Sequence, residues 1–124
     1  MPVRPRFNLG IDYRRVLRML AVRDQAFFDL VGPDEAENVL ASQLEGRQAT
    51  LARLGALIAL DAALVSYIHI TEVGRAAGVT ADEFVGTLVA VIPDVGADRA
   101  VSAAHKLGLA LGYDIETALE TLER

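Results

Sequence analysis

Residues 51–80 read LARLGALIALDAALVSYIHITEVGRAAGVT, two apolar helical stretches separated by a short kink at 61–63. The first run has Leu51, Leu54, Leu57 and Ile58 at helical spacing, with Gly55, Ala52 and Ala56 between them, small enough to let a neighbouring helix come close. It is apolar on nearly every side, which marks a central helix over about Arg47 to Asp61. The second run spans about Leu64 to Ala77 and meets Gly78, a residue suited to the left-handed conformation that follows a last helical turn. Thr80-Ala81-Asp82-Glu83 then has the form of a capping box. The threonine hydroxyl accepts from the third amide while Glu83 reaches back to the first, so a new helix opens here.

Outward from this stretch the same periodicity continues. Val85, Leu88, Val89 and Ile92 recur at i, i+3, i+4, i+7, and Pro93 is expected to end their helix. A small-residue helix follows over about Val95 to Leu111, stopped by Gly112, and Asp114 caps a final amphipathic segment from Ile115 to Leu122. On the N-terminal side, Asp12 caps Tyr13, Val16, Leu17 and Leu20, an apolar stripe in a helix to about Val22. Phe27, Phe28, Leu30 and Val31 form either its continuation or a separate short helix. Pro33, Asp34 and Glu35 then open a helix through Leu40. Met1 to Gly10 has two prolines and no period, and reads as an arm. No strand-like alternation persists, so the fold class expected is all-α: one domain over residues 11–124, a bundle of about six or seven helices.

Composition narrows function by exclusion. The 124 residues are 52% hydrophobic but only 6% aromatic, with net charge −5 and pI near 4.9. Base stacking needs aromatic platforms and phosphate binding needs a basic face, so no nucleic-acid partner is expected. The absence of cysteine removes disulfides, thiolate metal sites and thiol redox chemistry. The longest uncharged runs, Ala62 to Thr71 and Phe84 to Pro93, are half of the roughly 20 residues a spanning helix needs. Met1 to Gly10 lacks the apolar core of a signal peptide. A cytoplasmic protein with no membrane partner is the expectation.

The order of these features, with the segments RAAGVTADEFVGTLVAVIPDVG (75–96) and RAVSAAHKLGLALGYD (99–114), resembles the carboxymuconolactone decarboxylase family, which includes the alkylhydroperoxidase D-like proteins. The resemblance covers residues 43–114. It implies an alkylhydroperoxidase D-like helical bundle and a homo-oligomer, trimer or hexamer. In the redox branch a Cys-x-x-Cys-x-x-x-His motif opens the helix that Gly78 closes here. Counting back from Gly78 places the two cysteines at Ala63 and Ser66, the histidine at Ile70 and a supporting glutamate near Leu51. All four are changed, so a thiol peroxidase is excluded. The lactone decarboxylase branch keeps only the histidine. His69 lies one residue before that position, about 100° away around the helix.

Chemistry is therefore sought on the 64–77 helix itself. His69, Glu72 and Arg75 are three apart, on one side, with Ser66 one turn earlier. One reading is an acid/base site of the lyase kind, with His69 and Glu72 as catalytic residues. Ser66, Tyr67, Arg75 and Arg53 would bind a small organic acid or lactone. The other is an ordinary polar helix face in a catalytically silent or regulatory relative. Asp61 is either a buried acid or the cap of the helix after it. No pair of histidines has metal-ligand spacing, so neither metal nor other cofactor is expected.

Overall fold

The computed structural model describes residues 12–31 and 34–122, and among these every regular element is a helix. Gly32, Pro33 and the proposed arm, Met1 to Gly10, lie outside the described residues. Eight helices occur in the order α1 Tyr13–Ala21, α2 Gln25–Val31, α3 Glu35–Ser42, α4 Gly46–Ala59, α5 Leu64–Ala76, α6 Ala81–Val95, α7 Ala97–Ala110 and α8 Ile115–Leu122. Chain contacts group them into two compact units that divide between Glu45 and Gly46.

The first unit holds α1 to α3. Asp12 caps α1 by accepting from the Arg14 and Arg15 amides. Arg23 takes φ 55°, which breaks the chain before Asp24 and makes α2 a separate helix with Asp24 accepting from the Phe27 amide at 2.9 Å. Asp34 does the same for α3 through the Glu37 amide. Only Phe27 is buried among the described side chains of this unit.

The second unit is the bundle. Leu54 and Ile58 of α4, Tyr67 and Ile70 of α5, Val79, Phe84 and Leu88 at and within α6, and Ala103 and Leu107 of α7 form one core. Each fully buried large apolar side chain stabilises the fold by about 1.5–3 kcal/mol. Leu51 and Leu57 pack against it, as the α4 periodicity requires. Two elements depart from expectation. Pro93 does not end α6: the helix runs on to Val95 and stops at Gly96, whose φ 85° and ψ 165° suit glycine alone. Proline within a last turn forfeits one backbone bond, to the Val89 carbonyl, and both residues are exposed, where solvent satisfies the orphan. The buried stripe of α6 also differs. Phe84 and Leu88 face the core with Val91 and Val95 beside them, while Val85, Val89 and Ile92 are exposed. Two apolar stripes run along α6 at helical spacing, and the period alone does not choose between them.

The links between helices follow one device. After α4, α5 and α7 the chain turns through a left-handed residue, Asp61, Gly78 and Gly112 respectively. In each case the next amide reaches back five residues: Ala62 to Leu57, Val79 to Gly74 and Tyr113 to Gly108. The predicted capping box at Thr80 and Glu83 is present with both of its bonds, at 2.9 and 3.1 Å. No helix among the described residues is long and apolar enough to cross a membrane.

Candidate functional site

The α4–α5 pair leaves one open groove of about 290 Å³, lined by Arg53, Leu57, Val65, Ser66, His69 and Ile70. Its construction is local. Arg53 and Leu57 are one turn apart on α4, and Ser66, His69 and Ile70 recur at i, i+3, i+4 on α5. Ile70 is buried and Leu57 half-buried, giving an apolar floor; Arg53 and Ser66 are half-buried and His69 exposed at the mouth. A guanidinium, an imidazole and a hydroxyl thus border one apolar cleft. The set suits a small molecule with one anionic end.

Three of the six sequence candidates meet there: Arg53, Ser66 and His69. Glu72 and Arg75 are exposed on α5 beyond the groove. Tyr67 is a core residue, fully buried, and its hydroxyl finds no partner among the described residues. Burial raises the pKa of that phenol, and the Asp61 carboxylate raises it further. A buried hydroxyl without a partner forfeits about 1–3 kcal/mol of lost hydration. Tyr67→Phe is therefore expected to gain about 1 kcal/mol in chemical denaturation; a loss of that size would mean that the hydroxyl has a partner in solution.

Asp61 is neither a buried acid nor the cap of α5, whose first residue is preceded by Ala63 with no side-chain cap. It ends α4 instead, in the left-handed conformation with φ 50°. Its Oδ1 accepts from Ser102 Oγ at 2.7 Å and Lys106 Nζ at 3.0 Å. Those two bonds, then the Lys106 and Arg99 charges, hold its carboxyl below the ordinary value of 3.8. Arg99 donates to the Ala59 carbonyl and Lys106 to that of Ala62, at 2.7 Å. Two cations thus satisfy carbonyls where α4 ends and fasten α7 to that corner.

Sequence reasoning missed Arg47. From the first turn of α4 it donates to the Gly78 carbonyl at 2.6 Å and forks onto both carboxylate oxygens of Glu83, with Nη1 to Oε1 at 3.0 Å. The capping box of α6 is thereby tied to the start of α4 and the end of α5. No local pattern announces a contact across 36 residues. No three His, Asp or Glu side chains among the described residues converge as metal ligands.

Comparison with protein-family models, with curated proteins and with solved structures gives no match.

Proposed function

We propose that the α4–α5 groove binds a small carboxylated or lactone-like compound, and that the chain is a carboxymuconolactone decarboxylase-like protein without the peroxidase cysteines. The observation that carries the reading is the meeting of Arg53, Ser66 and His69 over Leu57, Val65 and Ile70. Ser66 and Ile70 are also two of the positions where counting from Gly78 puts the reactive groups of the redox branch, which supports the reading. Its volume of about 290 Å³ lies at the lower edge of the roughly 300–1,000 Å³ usual for ligand pockets. That restricts the ligand to a compact acid. Arg53 meets the carboxylate, Ser66 adds a hydrogen bond, and the imidazole of His69 is the proton-transfer group.

A silent relative is the second reading, and the placement of Glu72 favours it. Glu72, the residue expected to orient the imidazole, is exposed and does not line the groove. Binding is therefore better supported than turnover.

Calorimetric titration with small mono- and dicarboxylates and lactones tests both. A charge-assisted hydrogen bond contributes about 1.5–3 kcal/mol, so Arg53→Gln is expected to weaken binding by about ten- to a hundredfold. His69→Ala should weaken it less, and Glu72→Gln should leave it unchanged. No binding by any compact acid, or binding indifferent to Arg53, overturns the reading. Conversion of a bound lactone that vanishes in His69→Ala would decide for an enzyme.

A further inference from the structure

The described helices of the first unit bury little. Among its described residues Phe27 alone is buried, whereas Tyr13, Leu17, Leu20, Val22, Phe28, Leu30 and Leu44 are each at least 40% exposed. A unit of 45 residues with so little buried apolar surface among its described side chains is marginal by itself. Their apolar surface is also shaped: α1, α2 and α3 border an open groove of about 490 Å³, with Tyr13, Leu17 and Leu20 along one wall and Phe27 and Val31 along another. A groove with an i, i+4, i+7 wall fits the apolar face of another helix.

Charge says which helix. The first 23 residues hold six arginines and one acid, a net +5, while the rest of the chain holds six cations and sixteen acids, a net −10. Arg14, Arg15 and Arg18 are exposed on α1, and the Arg14 guanidinium lies over the Tyr13 ring, 5.6 Å from its centroid, at the edge of the groove. Two α1 helices together would set arginine against arginine. A lipid surface is flat and would not fill a concavity, and a nucleic acid would leave the apolar wall unburied.

An acidic amphipathic helix satisfies both requirements, and α8 is one. Its first residue, Ile115, packs where α7 approaches at Gly108, while Leu119 and Leu122 are exposed at 51% and 78%, with Glu116 and Glu120 along one flank of them. We propose that the α1–α3 groove receives α8 of a second copy of this chain, with Leu119 and Leu122 against Tyr13, Leu17 and Leu20 and the glutamates facing Arg14 and Arg18. A homo-oligomer is what the sequence leads one to expect; the uncovered faces supply a pairing for it. The inference is independent of the ligand reading.

Two full-length variants test it: Arg14→Glu/Arg18→Glu, and Glu116→Arg/Glu120→Arg. All four positions are exposed, and circular dichroism melts establish that each variant folds. Sedimentation equilibrium of the parent is expected to show self-association that weakens as salt rises. Each variant alone should associate at least tenfold more weakly, because like charges then face each other. An equimolar mixture should form a heterodimer, because both pairings become opposite again. A monomeric parent, association unaffected by either variant, or a mixture that behaves as its separate components overturns the proposal. Binding of the monomer to anionic vesicles would reassign the groove to lipid.

Discussion

Gly74→Ala is expected to lower the thermal midpoint on the order of 10 °C, from an overpacking cost of about 1–3 kcal/mol and about 4–8 °C per kcal/mol for a domain of 60–100 residues. A Cβ at Gly74 would stand 2.5 Å from Phe84 Cζ, 2.9 Å from Phe84 Cε1 and 2.8 Å from Thr50 Cγ2. Neither neighbour can swing aside. Phe84 is fully buried at the first turn of α6, and the Thr50 hydroxyl donates to the Gly46 carbonyl at 2.8 Å, which fixes the rotamer of a β-branched side chain. The missing side chain is thus the means by which α5 approaches α4 and α6 together. Phe84→Leu shortens the ring that causes most of the clash, so the double variant should lose less than the two single losses added, with a coupling of about 0.5–3 kcal/mol. Strict additivity in urea melts would refute that account of the α5 contact.

The same position shows what a sequence can and cannot disclose. Gly74 sits inside a helical run, where glycine costs about 1 kcal/mol against alanine, and nothing nearby announces that it faces a ring ten residues on. Capping chemistry, by contrast, is written locally. Asp12, Asp34, Thr80 with Glu83, Gly78, Gly112 and Asp114 all mark helix ends where the structure has them, because each satisfies backbone groups within three or four residues. Inner faces were legible only in part, because helical spacing can fit more than one apolar stripe. The inward residues of α4 follow its period, whereas Val85, Val89 and Ile92 of α6 form an equally good stripe that faces outward. For the candidate site, helical spacing put Ser66 and His69 on one side of α5. It could not tell that Tyr67 turns inward, that Glu72 lies past the groove, or that Arg53 completes the cleft from another helix, since those depend on how α4 and α5 cross.

Arg47→Gln is expected to destabilise the bundle at neutral pH and to lose that effect in acid. The bidentate guanidinium, followed by the Thr80 amide, holds the Glu83 carboxyl below its ordinary value of 4.5. A carboxyl whose folded pKa is depressed contributes stability that is fully present above its unfolded value and lost as pH falls through the folded one. The parent should therefore weaken progressively below about pH 4.5. In Arg47→Gln the main cause of the depression is gone, so its midpoint starts lower and falls less steeply. The two curves should converge as the pH falls further. The slope that remains in the variant comes from Glu83, still depressed by the Thr80 amide, and from Asp61, depressed from 3.8 by Ser102 and Lys106. Arg47→Lys should restore only part of the difference, because a point-like ammonium cannot bridge both oxygens of Glu83 and the Gly78 carbonyl with the same planar fork. Urea midpoints of the three proteins between pH 7 and pH 3 decide the matter. Parallel curves would mean that the ion pair adds nothing to the joining of α4, α5 and α6, and that packing around Gly74 and Phe84 holds them unaided.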